Sequence, residues 1–171
     1  HYYVWNSLEA VFEGKSGGEI SSVDTTWLLY GMMACAEYFG GVVAADFEAC
    51  RALVDWNGWL DPATDQFRMA YRPGTGFEYR WDWRSDETLA ICLMALSADE
   101  TLDARVIWDA WRRDRVTYLT AGGRAYRCYA SWNGDPFADF YLLHFLDLSR
   151  LPRDYGGVDW FEENRESYRG H

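Results

Sequence analysis

Three short segments of the chain set carboxylates beside indoles. They are Glu19-Ile20-Ser21-Ser22-Val23-Asp24-Thr25-Thr26-Trp27, Trp81-Asp82-Trp83-Arg84-Ser85-Asp86-Glu87 and Val158-Asp159-Trp160-Phe161-Glu162-Glu163-Asn164. Cleaving a glycosidic bond needs two carboxyl groups: one protonates the leaving oxygen, and the other activates water or attacks the sugar. Glu87 opens the most apolar helical stretch of the chain. Partial burial there is expected to raise its pKa, as a general acid requires. Asp24 falls in the first turn of a predicted helix, where the backbone dipole favours the ionised form of a base or sugar-hydroxyl acceptor. Each of the two reads equally well as an ordinary first-turn helix acid, and Asp159 reads better as a helix cap.

Composition adds to the case for sugar. Aromatic residues make up 18% of the 171 positions, with 10 Trp and 12 Tyr. Their apolar faces and polar edges suit half-wet surfaces, and the C–H faces of sugar rings stack on indoles. Any single Trp is more often a core residue; ten together make a sugar cleft reasonable. Acids outnumber bases 27 to 16, for a net charge of −11, and Lys15 is the sole lysine. Nucleic-acid backbone binding depends on clustered Lys and Arg, so such a partner is disfavoured. The acidic excess suits a neutral polysaccharide, and it suits solubility equally well.

No stretch approaches the roughly 20 apolar residues a membrane span needs, and no signal peptide is legible, so His1 reads as the boundary of a mature or trimmed product. An N-terminal histidine can bind copper, but only with a second positioned histidine. His144 and His171 are the only others, in a chain that reads helical, so no metal or cofactor is expected. Cys35, Cys50, Cys92 and Cys128 lack C-x-x-C spacing; the first three sit among apolar residues and are expected to be buried thiols.

The elements that must position these residues read mainly as helices. An aromatic extended stretch, Tyr2 to Trp5, precedes a Gly-rich turn. Ser21-Ser22 caps a helix that Gly40-Gly41 stops, and a second helix follows from about Val43 to Val54. Phe67 to Trp81 reads as loop or short hairpin, broken at Pro73-Gly74 and Gly76. A buried helix is expected over Asp86 to Leu96, and another over Asp103 to Arg113. Val116 to Cys128 reads as a small hairpin around Gly122-Gly123. Asp135-Pro136 opens a fifth helix through about Leu148, and Asp159 to Tyr168 makes a short last one. The expected fold is a single all-α domain with minor β.

In order, these motifs resemble the glucoamylase-like domain of bacterial β-1,2-glucanases and of proteins associated with cyclic β-1,2-glucan synthases. The matching features are Glu19 to Thr25 with Gly31 and Tyr38-Phe39, then Val54-Asp55-Trp56 and Gly76-Phe77 with Trp81. They continue with Glu87 opening a Leu/Ala-rich helix, Phe137 to Asp147, and Asp159 to Asn164. The resemblance implies a partial (α/α)6 toroid-like helical layer, formed by residues 1–171 as one domain without the family's first and last helices. It implies an inverting attack on β-glucan, β-1,2-glucan foremost, by an endo-acting enzyme in the periplasm or outside a bacterium. It also implies that Glu87 is the acid, while Glu19 and Asp24 line the cleft.

The resulting site is Glu87 and Asp24 as the catalytic pair, with Glu19, Trp27, Trp56, Trp81, Asp82, Trp132, Asp159 and Trp160 contacting a polysaccharide or oligosaccharide. The competing expectation is a non-catalytic descendant, either a glycan-binding module or a self-assembling structural subunit. A half-toroid would expose apolar helix faces, and copies of the chain would cover them.

Overall fold

The computed structural model of the protein describes residues 19–131 and 137–170. The extended reading of Tyr2 to Trp5, the opening of the fifth helix at Asp135-Pro136, and Trp132 lie outside them. The first strand, β1 (Ile20–Ser21), runs directly into helix α1 (Ser22–Phe39). The Ser21 hydroxyl caps that helix by accepting from the Asp24 amide at 3.2 Å. Gly40 and Gly41, with φ of 62° and 54°, turn the chain into α2 (Gly41–Ala52). Both positions are in the left-handed region that glycine adopts without steric cost.

After the single turn α3 (Trp56–Trp59) come three strands, β2 (Leu60–Asp61), β3 (Gln66–Arg72) and β4 (Gly76–Arg80). β3 carries this sheet: β4 runs antiparallel along it, and the short β1 and β2 pair near its two ends. Helix α4 (Asp86–Ala98) is the central pillar, with Leu89, Ala90, Ile91, Cys92, Met94 and Ala95 all buried. Burying each such Leu or Ile contributes about 1.5–3 kcal/mol, so this helix is firmly anchored in the core. Helix α5 (Ala104–Asp109) is capped by Asp103 and leads to a second antiparallel pair, β5 (Arg115–Leu119) and β6 (Ala125–Tyr129). Short α6 (Phe137–Phe140) and two 3-10 turns follow, and α7 (Trp160–Gly170) closes the described chain.

The all-α expectation, and with it a toroid-like helical layer carrying one small hairpin, is therefore corrected. Among the described residues helices account for 51% and strands for 19%, in antiparallel sheets of four and two strands. Phe67 to Trp81, expected as loop or short hairpin, forms the β3–β4 hairpin; the pairings of β1 and β2 that extend it to four strands were not expected, because arginines and a glutamate interrupt the strands. Tyr71 lies opposite Phe77, however, and Gly74 and Gly76, at φ 93° and 86°, close the turn between β3 and β4.

Two helices are shorter than expected. α5 ends at Asp109, beyond which Arg112 pairs in parallel with Trp83. The predicted fifth helix breaks after Phe140, because the Leu142 amide donates to Asp86 at 2.9 Å instead of to its own helix. Cys35 is also corrected: it is exposed on α1, and Cys50 on α2 is only half-buried, whereas Cys92 is buried as expected.

Candidate active site

The N-terminal turns of α1 and α4 open into one cleft, roofed by the β3–β4 hairpin. Its volume is about 430 Å³, and Glu19, Asp24, Trp27, Tyr79, Trp81 and Glu87 are among its lining. Five residues singled out in the sequence thus share one cavity, although they come from the two segments at Glu19–Trp27 and Trp81–Glu87.

Each side chain has a positioning partner or an element that aims it. Ser85 caps α4 by accepting from the Thr88 amide at 3.1 Å, and Thr88 Oγ1 donates to the Trp83 carbonyl at 2.6 Å. These bonds fix the turn that carries Glu87. Burial pushes the Glu87 carboxyl from 4.5 to about 7, and the charges of Asp24 and Asp86 push the same way. Trp81 is held by its indole N–H, which donates to Ser22 Oγ at 3.0 Å. Trp27 stands edge-on to Tyr141, with ring centroids 4.7 Å apart, and stacks on Phe145 at 5.8 Å. Glu19 sits at the rim in an ion pair, accepting from Arg72 at 2.6 and 3.0 Å, and Glu78 holds the same guanidinium at 3.2 Å.

Behind Glu87 lies a buried polar cluster that the sequence reading did not find. Arg84, 1% exposed, donates to Asp139 and to Asn164. Asn164 in turn donates to Asp86 at 2.8 Å, Ser167 donates to Asp139, and Asp86 lies 3.9 Å from Arg84. Burial raises Asp86 to about 6, against the opposing pull of Arg84 and of the bonds from Leu142 and Asn164. The cluster ties α4 to α6 and α7, so the last helix helps to fix the turn bearing Glu87. The available sequence signal was weak: Arg84 and Asp86 flank a helix cap, and nothing local marks Asp139 or Asn164 as their partners.

The remaining candidates lie elsewhere. Trp56 is 1% exposed and packs edge-on against Phe67, so its indole belongs to the core and does not reach the cleft. Trp160 is buried among Trp108, Trp111 and Tyr129, with its indole N–H donating to Asp154 at 3.1 Å. Asp159 accepts from the Glu162 amide at 3.0 Å, which makes it the cap of α7. Among the described residues no three His, Cys, Asp or Glu side chains converge to hold a metal ion.

Asp82 opens into a second cleft of about 540 Å³, lined also by Asp61, Arg68, Phe77, Tyr79 and Arg80. Tyr79 lines both clefts. Its φ is 52°, a left-handed conformation that a bulky residue rarely adopts and that costs about 1–3 kcal/mol. The β3–β4 ladder accordingly pairs Arg68 with Arg80 and Ala70 with Glu78 but skips Met69 and Tyr79 between them. Tyrosine has no preference for this conformation, so nothing in the sequence signals it.

Compared with known proteins, the chain matches no protein family, no curated protein and no solved structure.

Proposed function

We propose that the chain is a carbohydrate-active domain that cleaves β-glucan, β-1,2-glucan foremost, with Glu87 as general acid and Asp24 as the second carboxylate. One observation carries this reading: Glu87 and Asp24, from different helices, open into a single cleft walled by the indoles of Trp27 and Trp81. The raised pKa of Glu87 supports its role, because the group keeps its proton close to neutral pH. The order of motifs shared with glucoamylase-like domains supports the substrate class and an inverting course. The test is sugar release from β-1,2-glucan. The chain is expected to release oligosaccharides, and Glu87→Gln to release none while keeping its fold. Hydrolysis by that variant would remove Glu87 from the reaction.

A second reading is a self-assembling or purely glycan-binding subunit, and one feature favours it. Leu28, Cys35 and Phe39 lie on one exposed stripe of α1, continued by Tyr38 and Val42 at the α1–α2 corner. Contiguous exposed apolar surface marks interaction sites. Light scattering separates the readings, since a subunit of this kind forms multimers at micromolar concentration. A monomer that cleaves glucan would discard it.

A further inference from the structure

Tyr79 combines two unusual properties. It sits in a strained left-handed conformation one residue before the end of β4, and its side chain is 76% exposed. Among the described residues no hydrogen bond or ring contact holds that side chain. Residues with such backbone strain cluster at active sites and ligand clamps. Here the ring is displayed between two clefts, and it lines both.

The second cleft has its own chemistry. Arg80 and Arg68 both face the Asp61 carboxylate, at 3.0 and 3.4 Å, and the Arg68 guanidinium lies 4.6 Å from the centre of the Phe77 ring. The Ala63 amide, and after it the Arg80 and Arg68 guanidiniums, lower the pKa of the Asp61 carboxyl. Two guanidiniums are thus balanced by Asp61 and Asp82 in one lining. A phosphate or carboxylate ligand would meet two carboxylates there. An uncharged polyol would find donors and acceptors at fixed positions beside aromatic faces.

We infer that the second cleft is a further sugar subsite, and that Tyr79 is the stacking platform over which a glycan passes from the Glu87 cleft into it. This inference rests on the glycan reading above and deepens it: the recognised ligand is an oligosaccharide long enough to span both clefts. Asp82 belongs to the far subsite, away from the Glu87–Asp24 pair.

Calorimetric titration with a β-1,2-linked glucose disaccharide and hexasaccharide tests the inference, alongside thermal melting. Tyr79→Gly is expected to weaken hexasaccharide binding about tenfold and disaccharide binding by a smaller factor, since the ring also borders the Glu87 cleft. Its melting temperature should stay level or rise, since glycine relaxes the left-handed backbone. Tyr79→Trp should restore the hexasaccharide affinity, and Asp82→Asn should lower it without touching the disaccharide. Equal changes for both lengths, or none for either, would overturn the bridging role. So would a marked fall in melting temperature for Tyr79→Gly, which would make the ring structural. Absence of binding to both oligomers by the unaltered chain would instead sink the glycan reading itself.

Discussion

Trp81 and Ser22 meet through a single hydrogen bond, indole Nε1 to hydroxyl Oγ at 3.0 Å, with both side chains buried. The hydroxyl donates in turn to the Arg68 carbonyl at 2.7 Å. One serine therefore locks the first residue of α1 to β3 and sets the ring plane of a cleft wall. Ser22→Ala leaves an indole N–H buried without a partner, for which the expected loss is about 1–3 kcal/mol. It should appear as a lower urea midpoint at unchanged slope, with weaker hexasaccharide binding. An unchanged midpoint would show that the bond contributes nothing to stability.

Glu87 should make stability depend on pH in a defined direction. Its folded pKa, about 7, lies above the ordinary 4.5, so the fold holds its proton more tightly than the unfolded chain does. That contribution is complete below about pH 4.5 and is lost as pH rises through 7. Glu87→Gln has no proton to lose. It should match the parent near pH 4 and exceed it at pH 8 by about 1–2 kcal/mol, allowing for partial solvation of the carboxylate. Chemical denaturation at the two pH values measures this, and a variant less stable at pH 8 would refute the sign.

After burial, the charge of Asp24 does more than that of Asp86 to raise Glu87. Asp24→Asn should therefore lower the Glu87 pKa, read directly from its side-chain carboxyl resonance in an NMR titration. The basic limb of any residual glucan hydrolysis should move to lower pH with it. If Glu87 titrates unchanged in Asp24→Asn, the two groups do not share the cleft electrostatically.

The sequence was informative where a local rule applied. Ser21 as cap, Gly40-Gly41 as stop, the buried helix after Ser85 and the β5–β6 hairpin all follow from capping, glycine and periodicity, which act over a few residues. The convergence of Asp24 with Glu87 followed only from the ordered motifs, because no local rule links the two helices. What stayed illegible depends on long-range partners. The loop-or-hairpin reading of Phe67 to Trp81 covers β3 and β4, but their extension to a four-stranded sheet needed β1 and β2. The helix predicted through Leu148 was broken by a bond to Asp86, far upstream. Trp56 and Trp160 looked like sugar contacts beside their aspartates, yet the core took both indoles.

Arg84 is a buried cation shared by two anions, Asp139 and the more distant Asp86. Removing one partner of a buried ionic cluster leaves uncompensated charge, so Arg84→Met should cost about 3–5 kcal/mol. Asp139→Asn keeps an acceptor for the guanidinium and should cost less. It also removes a charge that raises Asp86, so Asp86 should titrate below its present value of about 6. Comparing the two denaturation midpoints ranks the variants, and the reverse ranking would refute the assignment of Arg84 as the centre of the cluster.

The cysteines separate a free α1 stripe from a covered one. Cys35 is exposed, whereas Cys92 and Cys128 are buried. Burial raises both buried thiols, Cys92 to about 12, so neither forms the reactive thiolate near neutral pH. A thiol reagent should therefore modify Cys35 quickly in the native protein, and Cys92 and Cys128 only after denaturant is added. Peptide mapping of the modified chain identifies the sites. If copies assemble through the stripe of Leu28, Cys35 and Phe39, Cys35 should be protected at high concentration and become reactive on dilution. Rapid modification at every concentration would leave that stripe uncovered and remove the main support for the self-assembling reading.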